Sequence, residues 1–384
     1  MSLRVEELLS PALLRHLRER AAEHDRDNSF AQEDLDELME AGYLKAMLPE
    51  ELGGQDWGFA EAIQAQRLLS AHSPATALAI NMHLVWTGVD RLLLARGDDR
   101  LGFMRRWVSE GEVLAFGVSE PGNDAVLFDS FTTATPVEGG GWNLTGLKIF
   151  TSNSTAWTRL GVFGKDTSGD EPRLVHGFVP RGGGAESVPN WDALGMRGSA
   201  SHSTQLDAAW LDPAHVHSIL PVGPNPDALI FGIFASFLSL TGAVYVGIAD
   251  RAVQLAAGHL TLRRDRATRQ SLNQDELLRH RVAQAAMAQL ALDAQARMLG
   301  LDLDGGADHS ASWFPRLVTF RTQAGDVARD AVLEAIKVSG GASYSRGTEL
   351  ERLYRDVLAS LFHPSNDESA HRTVADWLLG PLED

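Results

Sequence analysis

The chain contains no cysteine among its 384 residues. This absence excludes disulfide bonds, thiolate metal sites and cysteine nucleophiles, and it is compatible with a reducing compartment. Thirteen histidines are present, and the seven at positions 16, 24, 72, 83, 202, 259 and 371 show no metal-ligand spacing. Serine, histidine and aspartate occur without the glycine-flanked serine turn of the α/β-hydrolases. We therefore expect neither a metal site nor a serine hydrolase.

Positive charge is also scarce. Lysine and arginine number 34 against 51 aspartates and glutamates, which leaves a net charge of −17. Such a field repels phosphate backbones and anionic lipid, so a nucleic-acid partner is not expected. An anionic substrate would need basic residues gathered locally around its binding site.

Long apolar runs are rare as well. The N-terminal segment is amphipathic and charged and lacks the apolar core of a secretory signal, so we expect a cytoplasmic protein. One uncharged run, Ala228 to Ala249, is long enough to cross a membrane. It contains polar residues and three glycines, and no second such run exists. We interpret it as the buried central helix of a bundle rather than as a membrane span.

The elements that are present follow an α–β–α order. Residues 1–110 show helical periodicity, with Ser10 and Ser73, each followed by proline, as helix start signals. Residues 111–225 hold short β-rich runs between turn signals, as in small barrels or sandwiches. Residues 226–384 return to long helices. We therefore predict an α+β chain with an N-terminal α-helical domain, a central β-barrel domain and a C-terminal four-helix bundle.

Three segments of the chain together carry a family resemblance. They are FGVSEPGND at 116–124, KIFTSNS at 148–154, and KVSGG at 337–341 followed by ERLYRD at 351–356. In this order they resemble the acyl-CoA dehydrogenase family, and the resemblance covers nearly the whole chain. It implies FAD as the cofactor, with FMN as the alternative, and a small-molecule substrate such as an acyl-CoA thioester.

The first segment is similar to the family's strand-end flavin motif. The resemblance implies that Phe116, Val118 and Ser119 contact the flavin, with the Ser119 hydroxyl at the pyrimidine edge. Donors there suit reduced flavin, which carries negative charge near N1 and O2. The loop is about two residues shorter than the family pattern, so the family's acyl-carbonyl or CoA contact in this loop is not carried over.

The second segment resembles the strand that forms the other wall of the flavin site. By this resemblance Phe150 is the aromatic wall, Thr151 is a neighbouring contact and Ser152 supplies the hydroxyl that bonds flavin N5. Aromatic stacking and a donor at N5 both suit a flavin that accepts hydride.

The third segment resembles the part of the family that reaches the FAD of a neighbouring subunit, so a homodimer or homotetramer is expected. Adjacent glycines let a backbone approach a dinucleotide closely. Counting forward from the preceding helix selects Arg263 as the pyrophosphate-binding arginine, and counting back from the next helix selects Arg269. The choice therefore stays open within the loop 263–269. The implied cofactor contacts are Arg263 or Arg269, Lys337, Gly340, Gly341 and Asn366.

The family's catalytic glutamate is missing from both of its usual places. Family dehydrogenases remove an α-proton with this glutamate while hydride passes from the β-carbon to flavin N5. Here Pro364 stands at one position and Phe237 at the other. His363 is the first candidate for a replacement base, because imidazole titrates near neutral pH. Asp367 or Glu368 could serve instead if the loop is shifted.

Two enzymatic functions therefore stay nearly balanced. The first is an FAD-dependent dehydrogenase that oxidises an acyl-CoA-type substrate at a CH–CH bond and passes electrons to an acceptor flavoprotein. The second is a flavin-dependent monooxygenase of the same fold, which lacks the glutamate and receives reduced flavin from a reductase. The glycine-rich dinucleotide segment favours the first. A non-catalytic flavin-binding regulatory protein ranks third, because the charge of −17 argues against a nucleic-acid role.

Overall fold

The computed structural model describes residues 3–382, which form eleven α-helices and eight β-strands joined by turns and short 3₁₀ helices. The helices are α1 (Leu3–Leu8), α2 (Pro11–Asp27), α3 (Gln32–Glu40), α4 (Phe59–Ser70), α5 (Pro74–Leu94), α6 (Gly102–Ser109), α7 (Ala228–Leu262), α8 (Glu276–Asp304), α9 (Trp313–Ser339), α10 (Glu349–Val357) and α11 (Asp367–Leu379). The strands are β1 (Leu114–Gly117), β2 (Thr133–Pro136), β3 (Trp142–Lys148), β4 (Arg159–Asp166), β5 (Arg173–Pro180), β6 (Ala185–Val188), β7 (Ser203–Leu211) and β8 (Val216–Pro221). The predicted α–β–α order is confirmed.

The N-terminal helices begin where the capping signals predict. The Ser10 hydroxyl accepts a hydrogen bond from the Leu13 amide at 3.2 Å, and a proline follows at the first position of α2. Serine at this position satisfies one of the amides that the first helical turn leaves unpaired. Gly42 ends the α3 region with a φ of 80°, a conformation that glycine adopts without strain.

The strands form one sheet in the order β6-β7-β3-β2-β4-β5-β8, and β1 pairs in parallel with β4. Apolar side chains from β1 through β7 pack into a core of their own, separate from the main core of the helices. The sheet therefore curls around an apolar interior, as the strands of small barrels do.

Helix α5 is bound closely to this sheet through Trp86. Its indole nitrogen donates to the carbonyl of Ala115 at 3.0 Å. A Cβ at Gly161 would lie 2.3 Å from the indole ring, so only glycine at this point of β4 allows the approach. The N-terminal helices and the sheet therefore share one packed interface.

Helix α7 is the centre of the helical part and packs against α4, α5, α8 and α9. It is long and apolar enough to cross a membrane, but 83% of its most apolar window is buried inside the protein. This burial supports the interpretation of the apolar run as a core helix. The C-terminal helical domain contains two further long helices, α8 and α9, and the shorter α10 and α11.

Candidate functional site

A cavity of about 490 Å³ lies between the sheet, helices α5 and α7, and the loop that joins α10 to α11. The sequence-predicted residues that line this cavity are Phe116, Val118, Ser119, Phe150, Ser152, His363 and Pro364. Residues from the first two resemblance segments and from the expected base position are thus brought to one place.

A buried ion pair joins the first two segments beneath the cavity. Lys148 Nζ donates to Glu120 Oε1 at 2.7 Å, and the amide of Ile149 donates to the carbonyl of Ser119 at 2.9 Å. Glu120 also accepts from the hydroxyls of Ser130 and Thr132. Although burial opposes ionisation, Lys148, the Thr132 hydroxyl and the Phe131 amide lower the pKa of Glu120 to about 2. The ion pair therefore holds the segment of Ser119 beside the end of β3, which leads directly to Phe150.

Phe150 and Ser152 follow β3 and face the same cavity. Phe150 is a non-glycine residue with a φ of 57°, and its side chain is 54% exposed although it is large and apolar. Residues in this strained region of φ and ψ are concentrated at functional sites. Its ring packs nearly perpendicular to that of Trp191, with the ring centroids 6.2 Å apart. An exposed aromatic face beside a cavity is suited to stacking with a planar ligand.

The Ser152 hydroxyl belongs to a chain of three hydroxyls. Its oxygen lies 2.8 Å from the hydroxyl of Ser201, which in turn lies 2.7 Å from that of Ser199. Ser201 and Trp191 also line the cavity, and the sequence analysis did not identify them. Both lie on the segment before β7, about 40 to 50 positions beyond β3, and no local motif marks them.

Thr151 faces away from the cavity. Its side chain is buried, and its hydroxyl lies 2.7 Å from both the carbonyl of His202 and the hydroxyl of Thr204. Its side chain therefore holds the turn after β3 against β7. Of these two neighbouring residues, Ser152 is the one whose hydroxyl can contact a ligand in the cavity.

His363 is held by two buried residues from the bundle. The phenol oxygen of Tyr245 on α7 lies 2.8 Å from its Nδ1, and the guanidinium of Arg321 on α9 donates to its backbone carbonyl at 2.8 Å. Burial, with Arg321 as a lesser cause, lowers the pKa of His363 to about 3. Burial also raises the pKa of Tyr245 well above its ordinary value. Both side chains are therefore neutral at physiological pH.

The hydrogen bond to Tyr245 assigns the tautomer of His363. A neutral phenol can donate or accept, but among the described residues the buried Tyr245 hydroxyl has no other partner that could take its proton. We therefore assign Nδ1 as the acceptor and place the ring proton on Nε2. Nδ1 is consequently occupied, and Nε2–H is the group that His363 can offer to the cavity. In this arrangement the imidazole is a hydrogen-bond donor.

The other candidates for a catalytic base do not supply a free carboxylate inside the cavity. Pro364 and Phe237 line it at the two expected positions, and neither has a proton acceptor. The two alternatives, Asp367 and Glu368, form the first turn of α11 and are not among the lining residues. Among the described residues, the carboxylates that line the cavity are those of Glu120, which is saturated with donors, and Asp124, which is exposed.

The predicted dinucleotide contacts lie outside this cavity. Arg263 donates to the carbonyl of Ser339 at 3.1 Å and so joins the turn at Gly340, whose φ is 74°. Gly341 begins the 3₁₀ turn that follows. Arg269 lies in an exposed turn with a φ of 60°. The structure thus brings Arg263 and the glycine pair together and leaves Arg269 apart.

The remaining two predicted contacts have local partners. Lys337 forms an ion pair with Glu334 at 2.6 Å one turn earlier in α9. The Asn366 side chain caps α11 by accepting from the Ser369 amide at 3.1 Å. Neither lines the cavity. Roles for the glycine turn, Arg263, Lys337 and Asn366 in cofactor binding stay predictions.

The late arginine–aspartate pair of the third segment has a structural role. Asp356 accepts a hydrogen bond from the amide of Met196 at 2.6 Å, and its pKa is raised to about 6 by burial. A Cβ at Gly195 would lie 2.2 Å from the carbonyl of Arg355, so glycine is required for this approach. The segment around 195 is thereby fastened to α10 at the edge of the cavity.

The lining residues fit an isoalloxazine ring. The cavity offers an exposed aromatic face from Phe150, two serine hydroxyls from Ser119 and Ser152, and apolar walls. A flavin needs a flat apolar surface for its ring and donors for its polar edge.

Comparison with protein families agrees with this geometry. Residues 8–99 match the N-terminal domain of acyl-CoA dehydrogenases, and residues 239–368 match their C-terminal domain. The acyl-CoA dehydrogenase-like protein YdbM of Bacillus subtilis (strain 168) is 28% identical, over 93% of this chain and 92% of its own. L-evernosamine nitrososynthase of a Micromonospora species is 27% identical, over 89% and 82%. Dibenzothiophene monooxygenase of Rhodococcus qingshengii is 28% identical, over 62% and 57%.

Solved structures show the same fold. KijD3, in complex with FMN and dTDP-3-amino-2,3,6-trideoxy-4-keto-3-methyl-D-glucose, superposes with a TM-score of 0.87 at 27% identity, covering 100% of this chain and 96% of KijD3. Butyryl-CoA dehydrogenase from Megasphaera elsdenii superposes with a TM-score of 0.85 at 19% identity, covering 99% of each chain, and indicates the fold alone. The chain therefore belongs to the acyl-CoA dehydrogenase family of flavoprotein oxidoreductases.

Proposed function

We propose that this chain is a flavin-dependent monooxygenase that inserts one oxygen atom of O₂ into a small-molecule substrate. The observation that carries the proposal is the state of His363. A neutral imidazole, with Nδ1 bonded to Tyr245 at 2.8 Å, stands beside the place where dehydrogenases of this family carry a glutamate.

Proton abstraction from an acyl chain is poorly served by this arrangement. A general base works best when its pKa lies near the working pH. The pKa of His363 is about 3, and its Nδ1 lone pair already accepts a hydrogen bond. Oxygen transfer needs the opposite property, a preorganised neutral donor that stabilises charge as it develops on oxygen.

The chemistry would divide as follows. Bound reduced flavin supplies the two electrons that, with two protons, convert O₂ into one oxygen atom in the product and one water. His363 would donate from Nε2–H to an oxygen in the cavity. Ser152, supported by the hydroxyls of Ser201 and Ser199, would donate to the polar edge of the ring. With a ligand bound, the apolar walls would reduce the access of bulk water, which strengthens these hydrogen bonds.

We propose FMN, delivered reduced by a flavin reductase, as the first candidate cofactor. The FMN complex of KijD3, which shares this fold at 27% identity, supports this choice. The cavity itself offers a surface for the isoalloxazine ring, which FMN and FAD share. FAD stays the alternative, because Arg263 and the turn at Gly340 lie together. We also propose that the protein acts in the cytoplasm as a homodimer or homotetramer.

Acyl-CoA dehydrogenation is the second candidate. It is favoured by the similarity to YdbM over nearly the whole chain and by the glycine turn that joins Arg263. In this function His363, or a residue moved by substrate binding, would have to accept the α-proton, and an acceptor flavoprotein would take the electrons.

One experiment separates the two candidates. The FMN-loaded and the FAD-loaded protein are each mixed without oxygen with acyl-CoA thioesters of several chain lengths, and the visible flavin band is followed. A monooxygenase leaves the band unbleached. It forms product only with reductase, reduced nicotinamide and O₂, and the product carries ¹⁸O from ¹⁸O₂. Bleaching by a thioester would overturn the proposal.

Substitution of His363 gives the matched test. His363→Ala should lower the turnover of oxygenated product by roughly 10²–10³-fold, the loss typical of removing a donor at a developing oxyanion. His371→Ala, on exposed α11, is the control and should leave turnover unchanged. Unchanged turnover in His363→Ala would remove this residue from the mechanism.

A further inference from the structure

We infer that the substrate of this cavity is an uncharged, largely apolar small molecule without a phosphate or carboxylate group. The inference rests on the proposed function in one respect, that the substrate binds beside the flavin in this cavity. It is carried by the charges and the side chains that face the cavity.

The part of the cavity wall that helices α5 and α7 form is apolar. Helix α7 contributes Ile233, Phe234 and Phe237, and α5 contributes Met82. The rings of Phe237 and Phe116 are stacked, with centroids 5.7 Å apart and planes inclined by 21°. Such a surface stabilises a ligand by removing apolar area from water, and it offers no partner to an ionised group.

Within the described residues 3–382, Arg355 is the only lysine or arginine that lines the cavity, and all of its N–H groups are paired. A guanidinium has five N–H donors. In Arg355, Nε and one Nη2 proton bond to Glu351, the other Nη2 proton and one Nη1 proton bond to Asp25, and the last Nη1 proton bonds to the carbonyl of Leu194. The five distances lie between 2.6 and 3.2 Å. An anionic ligand would have to break bonds to two carboxylates to recruit this cation.

The other charges near the cavity add no positive field. Lys148 is fully buried behind the wall and is paired with Glu120 at 2.7 Å. His363 is neutral at physiological pH because its pKa is about 3. Asp124 at the rim is negative and exposed. An anionic group that enters the cavity would lose its hydration, face Asp124 and meet no unpaired cation, so the phosphate of a bound FMN would have to lie outside the cavity.

This distribution of charge does not suit the kinds of ligand that two structural neighbours are named for. KijD3 binds a dTDP-linked sugar, and butyryl-CoA dehydrogenase is named for a CoA thioester. Both ligand types carry phosphates, which are commonly held by arginine or lysine. The geometry here points instead to a neutral ring compound or hydrocarbon derivative held by Phe237, Phe234 and Ile233.

Matched ligand pairs test the inference on the FMN-loaded, full-length protein. Dissociation constants are measured by calorimetry for 2-naphthol against 2-naphthoate, for indole against indole-3-carboxylate, and for dTDP and butyryl-CoA. We expect each neutral compound to bind at least tenfold more tightly than its anion, with little dependence on salt. Tighter binding of the anions, binding only of dTDP or butyryl-CoA, or failure of every neutral compound to bind would overturn the inference.

A charge introduced into the wall gives the second measurement. Phe237→Lys should reverse the preference within the naphthol pair, so that the ratio of the two dissociation constants shifts at least tenfold towards 2-naphthoate. Leu262→Lys, at an 85% exposed position at the end of α7, is the matched control and should leave the ratio unchanged. An unchanged ratio in a folded Phe237→Lys protein would show that this wall does not select the ligand.

The binding measurements need neither reductase nor oxygen, so they are independent of the chemistry. Tight neutral ligands without ¹⁸O incorporation would contradict the monooxygenase while leaving the ligand class intact. Oxygenation of an anionic substrate would contradict the ligand class and leave the monooxygenase intact.

Discussion

The phenol oxygen of Tyr245 lies 2.8 Å from Nδ1 of His363, although the two residues are 118 positions apart in the chain. Tyr245 is completely buried in α7, and His363 lies in the loop between α10 and α11. The contact fixes one imidazole nitrogen as an acceptor and leaves Nε2–H for the cavity. Tyr245 is therefore a positioning residue whose effect on the chemistry passes through His363.

Removal of this phenol should disturb the imidazole without emptying the site. In Tyr245→Phe we expect the wild-type Nε2–H tautomer to give way to a mixture, because Nδ1 loses its donor. Turnover should fall about tenfold through one lost hydrogen bond, the release of hydrogen peroxide per product should rise, and FMN affinity should change little. Long-range ¹⁵N spectra of histidine report the tautomer directly. A wild-type spectrum with the proton on Nδ1 would contradict the assignment.

The Ser152 hydroxyl should contribute to flavin binding. We expect Ser152→Ala to weaken FMN binding by roughly two- to tenfold, the value of one hydrogen bond of about 0.5–1.5 kcal/mol. Fluorescence titration with FMN measures the dissociation constant. Ser109→Ala, which removes an exposed hydroxyl that bonds only to the carbonyl of Arg106 on α6, is the control. Equal affinities in the two variants would exclude Ser152 from the flavin site.

The Glu120–Lys148 pair should be costly to break from one side. In Glu120→Gln the buried ammonium of Lys148 loses its counter-charge, and we expect the free energy of unfolding to fall by about 3–5 kcal/mol. The double variant Glu120→Gln/Lys148→Met removes both charges and should recover most of this loss. Urea denaturation measures both.

A surface pair supplies the comparison for this prediction. Asp27→Asn breaks the exposed ion pair with Arg26 and should change the free energy of unfolding by less than about 1 kcal/mol. If Glu120→Gln were as mild as Asp27→Asn, the pair would not fasten the two strand ends, and flavin affinity should then be unchanged as well.

Acid should destabilise the protein through a buried histidine. His83 is held between the amide of Leu114 at 3.1 Å and the carbonyl of Leu44 at 2.9 Å, and burial lowers its pKa to about 4. The unfolded chain binds the proton near the ordinary pKa of about 6.5, so the unfolded state carries more protons between these values. The contribution of His83 is therefore complete above pH ~6.5 and is lost as the pH falls towards ~4.

The slope of stability against pH measures this contribution. Between pH ~4.5 and ~6, His83→Gln should reduce the slope by up to about 1.4 kcal/mol per pH unit, the value for one proton. Glutamine can donate to one partner and accept from the other, so the fold should be retained. His371→Gln, at an exposed position, should leave the slope unchanged. Identical slopes in all three proteins would contradict the role of His83.

The order of elements was largely predictable because its signals are local. Serine–proline starts, period-3.6 apolar patterns and glycine turns act over a few residues, and α2, α5 and α7 begin within one residue of the predicted starts. The burial of α7 was also predictable. Its apolar run contains polar residues and no second such run exists in the sequence, and both features argue against a membrane span. The family resemblance added the segments 116–124 and 148–154, and residues of both line one cavity.

The candidate site was predictable only in part. The motifs around Ser119 and Phe150 are contiguous, and the structure brings their residues to one cavity. The same motif included Thr151, whose side chain faces β7 instead. Side chains along an extended segment point alternately to its two faces, and one turn residue changes which of them face the cavity. Phe150 is such a residue, and no sequence motif marks its left-handed conformation.

The amino-acid sequence alone determined the α–β–α order, the family and the absence of the glutamate. Only the tertiary structure decided that His363 is a neutral donor, because its pKa and tautomer depend on burial and on Tyr245, which is remote in the chain. Only the tertiary structure likewise shows that the guanidinium of Arg355 is paired with Asp25, which lies 330 positions away. Local signals act over a few residues, whereas the electrostatics of a cavity depend on whichever side chains the fold places around it.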